Sequence, residues 1–556
     1  MMKKNFLLLF LLVVQISFSQ DKLIDILKDE LSRNFAVLKS EASPAYYMSY
    51  RVQDIQIHSL STSFGDIVGN YSNHYRLLNT DVRVGSYEMD NTRELKGNST
   101  GGMMFSNTQN FLSLEDNPEA IKNVLWENTD NIYKNAVQRY NNVKANVAAT
   151  VASEDKSDDF TREIPEQYIE PRLQFKDLKF NESEWIKKLK KYGSAFSENK
   201  EIFRASVSLN VELVRKYFVD SEGAVIAENA YAFRMQINAF SIAEDGMELP
   251  VYKNYYAKDV KDLPSDEQVL KDVKSLSNMI TELRKAPVAE SYTGPALMTS
   301  EAAGVFFHEI FGHRVEGARM KKESDAQTFK KKIGELVLPE DISIIFDSQL
   351  KKYRGIPLNG GYVFDDEGVR GQRVEIVKNG ILRTFLMSRT PIEGFSHSNG
   401  HGRAVIQLDN VTRQSNMIVE SNKPKSSKEL REMMIEQLKK EGKSYGYIFD
   451  LVNGGFTTTG RYMPNAFNVT PLIVYRIFTD GKPDELVRGV DLVGTPLSIF
   501  SQMVACGDDF GAFNGYCGAE SGSIPVSCVA PTFYIKMIET QKKAKSSTQP
   551  PIIERP

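Results

Sequence analysis

The chain has 556 residues, which is enough for two or three domains with substantial cores. Its 69 lysines and arginines nearly balance its 72 aspartates and glutamates, and the formal net charge is −3. This balance argues against a general nucleic-acid-binding protein, so we expect no nucleic-acid partner.

The first 20 residues have the pattern of a cleavable signal peptide. Lys3 and Lys4 precede an apolar run at Phe6–Ile16, and the short segment Ser17–Gln20 is polar. The apolar run is too short to span a bilayer comfortably and no second long one follows, so we expect no stable membrane insertion. The sequence therefore predicts an exported protein, periplasmic or secreted, whose mature form begins near Asp21.

Residues 21–287 are predicted to form an N-terminal α+β region with antiparallel strands. Helices are expected where apolar residues recur at helical spacing behind a capping residue, and strands where apolar residues alternate with polar ones. Because Pro287 ends the last of these helices, we place the main domain boundary there. The candidate elements are helices at Asp21–Lys39, from Asn117-Pro118 and from Ser265 with Gln268, and strands at Tyr46–Val52, Tyr75–Val84 and Phe203–Leu213.

Residues 288–541 are predicted to form a mostly β domain that carries one buried metal-binding helix. Ser426 and Glu429 form a capping box for a further helix at Lys428–Lys440. Residues 542–556 are rich in Lys, Ser and Pro, and we expect a disordered tail. The candidate strands, separated by glycine turns, are Ser343–Asp347, Val374–Lys378, Leu382–Ser388 and Pro471–Thr479.

The buried helix lies in Ser300–Gly317, where Ser300 is the candidate cap. A helix that is apolar all round belongs inside a protein, yet this one carries His308, Glu309 and His313. Burying a carboxylate and two imidazoles without partners is costly, and a divalent metal would supply the missing partner. The alternative is a buried helix whose two histidines are satisfied by hydrogen bonds.

The spacing of the two histidines needs a local distortion. Zinc-protease helices commonly place two histidines four residues apart on one face, whereas His308 and His313 are five apart and about 140° apart on an ideal helix. Either a π-bulge realigns them or the helix ends near Gly312, a residue with wide backbone freedom.

A third zinc ligand must come from elsewhere, because catalytic sites use three protein ligands and leave one position for water. Cys517 lies between Gly515 and Gly518, which allow close backbone approach, but its spacing alone does not separate it from an ordinary buried cysteine. Cys506 and Cys528 are the other two cysteines. The sequence does not decide whether these two form a disulfide or all three are free.

The sequence contains two other polar clusters. His397 and His401 lie four apart in a loop-like segment, where His401 could donate a hydrogen bond to substrate. The acidic run Asp365–Gly368 lacks the ligand repeat of a calcium loop and is better interpreted as a turn.

Several separate motifs resemble the TldD/PmbA (TldD/TldE) metallopeptidase family over roughly residues 290–535. The anchors are His308-Glu309-x-x-x-His313 with Glu316-Gly317, Asp365-Asp366-Glu367-Gly368, Val377–Leu382, Gly454-Gly455 with Thr459-Gly460, and Tyr516-Cys517-Gly518 through Ile524-Pro525-Val526. The intact H-E-x-x-x-H motif resembles that of TldD-like members rather than of their PmbA/TldE-like partners.

The resemblance implies a Zn²⁺ metallopeptidase with His308, His313 and Cys517 as ligands and Glu309 as general base. It also implies unfolded or short peptides as substrates and a homodimer, or a heterodimer with another family member. Two alternatives remain open: a non-catalytic zinc-containing partner or scaffold subunit, and an amidase acting on cell-wall peptides.

Overall fold

The computed structural model describes residues 21–97, 110–151, 153–457, 459–461, 467–544, 548–553 and 555–556. The predicted signal peptide at residues 1–20 lies outside the described residues. Of the helices that are described, none is both long enough and apolar enough to cross a membrane.

The N-terminal region is built on one long, mostly antiparallel sheet. Its described strands lie in the order β2-β1-β4-β5-β3, and β6 pairs with the later part of β5. The elements are helices α1 (Lys22–Leu38), α2 (Pro118–Ala149), α3 (Glu182–Ser194) and α4 (Asp266–Lys285), and strands β1 (Ala45–Ser63), β2 (Asp66–Val84), β3 (Gln167–Ile169), β4 (Arg204–Asp220), β5 (Val225–Ile242) and β6 (Glu248–Ala257).

The two faces of this sheet have different neighbours. Because successive side chains of a strand point to opposite faces, β4 directs Val207 and Leu209 to the core with α3 and α4. Further along the same face, Tyr217 packs into the core with α1 and α2. The opposite face contacts the second domain, where Phe218 and Phe364 share a small core.

The second domain combines a second sheet with a closed ring of strands. The second sheet has the order β12-β11-β8-β15-β22-β21, and in the ring β16, β7, β23, β19 and β17 pair in turn before β17 pairs back with β16. The helices are α5 (Ser300–Ile310), α6 (Ala318–Lys321), α7 (Ser427–Lys440) and α8 (Pro496–Phe500), and the strands are β7 (Tyr292–Met298), β8 (Ile342–Asp347), β9 (Lys352–Tyr353), β10 (Ile356–Pro357), β11 (Arg373–Lys378), β12 (Ile381–Leu382), β13 (Gly402–Arg403), β14 (Val411–Thr412), β15 (Asn416–Ser421), β16 (Tyr445–Thr457), β17 (Phe467–Phe478), β18 (Glu485–Val487), β19 (Val490–Val493), β20 (Met503–Cys506), β21 (Gly511–Ala519), β22 (Gly522–Ala530) and β23 (Phe533–Lys542).

Helix α5 lies between the ring and the second sheet. Phe306 and Phe307 contact Phe533 of β23 in tilted and edge-to-face geometry, with ring centroids 5.6 and 5.2 Å apart. On the other side Gly304 lies so close to β22 that an added Cβ would meet the Cys528 carbonyl oxygen at 2.7 Å. Contact on both sides explains why the helix is apolar all round.

Most of the predicted elements are confirmed, with boundaries that differ by a few residues. The capping box of Ser426 and Glu429 is present, and Asn117 caps α2. The mixed α+β class with a mostly β second domain is also confirmed.

Two local predictions are wrong. Thr299, not Ser300, is the N-cap of α5. Its hydroxyl donates to the Asp450 carbonyl oxygen and accepts no hydrogen bond from the first turn of the helix. The predicted strand at Leu382–Ser388 ends at Leu382, because the following backbone pairs elsewhere: the Leu386 N–H donates to Val315 and the Leu386 carbonyl accepts from Gly317.

Candidate metal centre

Helix α5 ends between the two histidines of the motif. Of the two predicted distortions, a π-bulge or a helix end near Gly312, the structure has the helix end. The helix stops at Ile310, Phe311 has φ −112° and ψ −53°, and a 3₁₀ turn follows at Gly312–Arg314. An added Cβ on Gly312 would lie 1.9 Å from the Gln414 Oε1 atom, so this position requires glycine for close approach.

Buried side chains satisfy the carbonyl groups that the helix end leaves free. Arg314 Nη1 donates to the carbonyl oxygens of Glu309 and Ile310 at 2.8 and 3.2 Å. Gln414 Nε2 donates to the His308 carbonyl oxygen at 3.3 Å. The turn that redirects His313 is therefore held by hydrogen bonds rather than left to the backbone alone.

The turn brings His313 beside His308, and strand β21 brings Cys517 to both. One ligand atom from each of the three residues lies within 4.8 Å of the other two. Cys517 Sγ is 3.3 Å from His313 Nε2, and the two imidazole centroids are 5.0 Å apart. All three side chains are buried.

The charges of this cluster favour a cation. Burial by itself would raise the pKa of the Cys517 thiol, but the His308 and His313 imidazoles lower it well below its usual value. Burial also disfavours charge on His313, yet Glu316 and Cys517 raise its pKa to about 10. The site thus holds a thiolate beside a position that already attracts positive charge.

The other two cysteines behave in the opposite way. Cys506 and Cys528 are free and buried, and burial raises the pKa of both thiols. Cys528 contacts the Met417 sulfur at 3.5 Å and packs as a small apolar side chain. In this structure the open question about a Cys506–Cys528 disulfide is answered: the bond is absent.

The residues present fit a zinc ion. His308 Nδ1 is buried without a hydrogen-bond partner among the described residues, which is the kind of orphaned atom that a metal would satisfy. Two imidazoles and one thiolate are ligands that zinc commonly uses. Over the described chain, no fourth His, Cys, Asp or Glu joins the group, so the fourth position is left for water or substrate.

A buried carboxylate supports His313 from behind. Glu316 Oε2 lies 3.2 Å from His313 Nδ1 and also accepts from Arg319 Nε at 2.7 Å. Burial raises the pKa of Glu316, but His313 and Arg319 outweigh it and lower the pKa to about 2. The carboxylate therefore stays ionised and fixes the orientation of the imidazole.

Arg413 links the two halves of the site. Its Nη2 donates to the Cys517 carbonyl oxygen at 2.5 Å and its Nη1 donates to Ser521 Oγ at 2.7 Å. Its Nε lies 3.8 Å from Glu316 Oε1. This fully buried arginine holds the β21–β22 hairpin against the residue that positions His313.

The remaining candidate residues have different surroundings. Glu309 is buried and follows His308 directly in α5. His401 is fully buried, with Nδ1 near Asn399 and Nε2 near Ser415, so neither ring nitrogen is free for a substrate. The acidic run forms a buried turn in which Asp365 accepts from the backbone of Glu367, Val369 and Gly402.

The sequence did not reveal Glu316, Arg319, Arg413 or Gln414 as parts of the site. In the sequence Glu316 belongs to a motif but carries no sign of its role. No neighbouring residue distinguishes Arg413 from the other arginines. The sequence offers one signal for a close contact here, which is the glycine at position 317. A Cβ added to Gly317 would meet the Leu386 carbonyl oxygen at 2.6 Å.

A narrow cleft lies close to the cluster, between the two domains. Tyr252 and Tyr256 of β6 line one side, and Val305 of α5 and Phe513 of β21 line the other. Val305 is one helical turn before His308, and the Phe513 ring lies 5.9 Å from the His308 ring. The cleft therefore comes within one side chain of the candidate ligands.

The second domain is similar to known metallopeptidases. Residues 291–542 match the family model described as the PmbA/TldA metallopeptidase C-terminal domain. A metalloprotease of Methanocaldococcus jannaschii is 30% identical over 250 residues, which are 45% of this chain and 51% of that protein. A zinc metalloprotease TldD homologue of Saccharolobus solfataricus is 25% identical over 374 residues, 66% of this chain and 77% of that protein.

The chain thus spans about half the length of the first relative. The fold resembles the crystal structure of TldE from Thermococcus kodakarensis, with a TM-score of 0.62 at 13% identity. That likeness covers 94% of this chain and 100% of the other.

Proposed function

We propose that the whole chain is a TldD-like member of the TldD/PmbA metallopeptidases and hydrolyses peptide bonds in unfolded or short peptides. The observation that carries the proposal is the buried group of His308, His313 and Cys517, whose ligand atoms lie within 4.8 Å of one another. The relatives named as metalloproteases support the same conclusion.

In this proposal His308, His313 and Cys517 hold a zinc ion. When bound, zinc supplies a Lewis acid that acidifies water and polarises a carbonyl group. The chain contributes the geometry: Glu316 keeps His313 oriented, and Arg413 holds the strand that presents Cys517. The lowered pKa of Cys517 keeps the sulfur in the thiolate form that a metal ligand requires.

Glu309 is assigned as the general base. It directly follows His308 in α5 and is 7% exposed, so its carboxylate is largely shielded from bulk water. Its carboxylate accepts the proton of the attacking water and then delivers it to the nitrogen of the leaving amine. A catalytic zinc is favoured over a structural zinc because a closed structural site needs four protein ligands.

The proposal extends to location and assembly. We propose that residues 1–20 direct export to the periplasm or the medium, and that the mature chain forms a homodimer or pairs with another family member. N-terminal sequencing of the native protein tests the first point, because an intact Met1 would rule out cleavage. Light scattering of the purified protein tests the second, and a monomer as the active form would contradict it.

The central test measures metal content and cleavage of unfolded casein on the same preparation. Active protein is expected to carry one zinc per chain, and Glu309→Gln is expected to keep the zinc while losing at least about two orders of magnitude in rate. Near-normal cleavage by folded Glu309→Gln would refute the assigned base. A zinc-loaded wild-type chain that cleaves no peptide would favour the scaffold alternative, and cell-wall peptides are then the next substrates to compare.

A further inference from the structure

The cleft beside the candidate metal centre contains two polar atoms to which the described residues offer no partner. Arg234 Nη1, on β5, and Tyr256 Oη, on β6, are both buried without a hydrogen bond among the described residues. Both residues line the cleft, and Tyr256 is only 8% exposed. Buried donors without acceptors are costly, so such a pair indicates a missing ligand.

The rest of the Arg234 side chain is held in place. Its Nη2 lies 3.5 Å from the Asn514 carbonyl oxygen, and its guanidinium lies over the Tyr516 ring at 4.5 Å from the centroid. Both partners belong to β21. A guanidinium fixed in this way can bind a ligand without losing further conformational freedom.

The surrounding charge favours an anion. In the described part of the chain, no carboxylate lies within 4.0 Å of the Arg234 guanidinium. Glu212 is the nearby acid, and burial raises its pKa against the opposing effect of Arg234, Lys258 and Lys216. Glu301, which also lines the cleft, pairs with Lys253 at 3.2 Å, and Lys216 pairs with Glu228 and Asp366. Among the described residues that line the cleft, Arg234 is therefore a cation left without a carboxylate partner, and an anionic ligand would supply one.

The position fits a substrate that is bound at the metal centre. Phe513 and Cys517 lie on one face of β21 and Asn514 and Tyr516 on the other, because successive side chains of a strand alternate. Phe513 lines the cleft, and its ring lies 5.9 Å from the His308 ring. A peptide of a few residues that follows β21 from Cys517 back to Asn514, about 10 Å at roughly 3.3 Å per residue, reaches the Arg234 end of the cleft.

We propose that Arg234 and Tyr256 form a subsite for a carboxylate of the peptide substrate, either its free C-terminus or an acidic side chain. The inference rests on the proposed function and narrows its substrate class. A carboxylate has only acceptor atoms, so its two oxygens can pair with the guanidinium N–H and the phenol O–H together. A C-terminal amide adds donors of its own and lacks the charge.

The test measures binding, so that it does not depend on turnover. Full-length zinc-loaded Glu309→Gln protein is titrated with fluorescein-labelled pentapeptides and followed by fluorescence polarisation. Four peptides are compared: an alanine peptide as free acid and as amide, and the same two with glutamate near the C-terminus. Arg234→Gln and Tyr256→Phe are introduced, and Arg204→Gln, an arginine stacked on Phe240 at 3.8 Å outside the cleft, is the matched control.

We expect at least about tenfold tighter binding of a carboxylate-bearing peptide than of the alanine amide. Arg234→Gln should abolish this difference, Tyr256→Phe should reduce it, and Arg204→Gln should leave it unchanged. Preference for the alanine free acid identifies the C-terminus as the source, and preference for the glutamate amide identifies the side chain. Equal binding of all four peptides, or a preference that survives Arg234→Gln, would overturn the inference.

The two proposals fail in different ways. If wild-type protein cleaves peptides but the four peptides bind equally, the carboxylate subsite is wrong and the peptidase assignment stands. If the Arg234-dependent preference is present but wild-type protein cleaves nothing, the subsite stands and the catalytic assignment is wrong.

Discussion

Replacing Cys517 with alanine should remove zinc and the stability that zinc provides. The change deletes the sulfur 3.3 Å from His313 Nε2 and leaves a buried imidazole without that partner, which costs about 1–3 kcal/mol. Wild-type protein with free zinc at a hundredfold excess over its Kd gains a further ~2.7 kcal/mol that the variant forgoes. The free energy of unfolding should therefore fall by roughly 4–6 kcal/mol.

Cys506→Ala and Cys528→Ala are matched controls, because both thiols are free, buried and neutral. Each deletes the same atom and should cost only the small cavity term, about 1–2 kcal/mol. Both variants should keep one zinc per chain. Only Cys517→Ala should lose it.

The assay combines metal analysis with thermal unfolding in chelator and in added zinc. Wild type and both controls should unfold at a higher temperature in zinc than in chelator, whereas the midpoint of Cys517→Ala should be the same in both. If Cys517→Ala keeps one zinc per chain and full activity, the ligand assignment is wrong.

Three further variants test the surroundings of the site. Glu316→Gln should weaken zinc binding about 10- to 100-fold while the fold is kept, and zinc titration with unchanged affinity would contradict its orienting role. Gly312→Ala should destabilise the chain by about 1–3 kcal/mol, because its Cβ would collide with Gln414; an unchanged denaturation midpoint would show that the turn yields freely. Burial lowers the pKa of His401 to about 3, so the folded chain should lose stability as pH falls from 6.5 toward 3, by up to roughly 5 kcal/mol. His401→Gln should lack this pH-dependent contribution and lose less stability than wild type between pH 7 and pH 4.5. If the stability of both proteins falls equally with pH in denaturation curves, the role of His401 is wrong.

The sequence predicted the parts of this protein that depend on neighbouring residues. The apolar helix with His308, Glu309 and His313 could be found because burial and spacing are local properties. The end of the helix near Gly312 followed from the same reasoning, since an ideal helix separates the two histidines. The alternation of apolar and polar residues in β4 likewise predicted which face of the sheet packs against helices α3 and α4.

Other parts depend on contacts between distant segments. Cys517 joins the histidines only after β21 and β22 have packed against α5, so its own neighbours in sequence give no sign of it. Arg413 contacts the Cys517 carbonyl and Glu316 contacts His313, and these two side chains lie 3.8 Å from each other. Arginines and glutamates are too common in the sequence for such a pairing to be predicted. The segment after Leu382 has strand-like composition, but its hydrogen bonds are taken by the turn that follows helix α5.

The face of the N-terminal sheet that packs on the second domain has a consequence for dissection of this protein. Phe218 lies so close to the turn of Gly368 that an added Cβ there would meet its ring at 2.3 Å, and Arg51 donates to the carbonyl oxygens of Ala404 and Val405. A fragment cut at the boundary would expose these apolar and hydrogen-bonding surfaces to water. We therefore expect each half to be less stable by itself than within the whole chain.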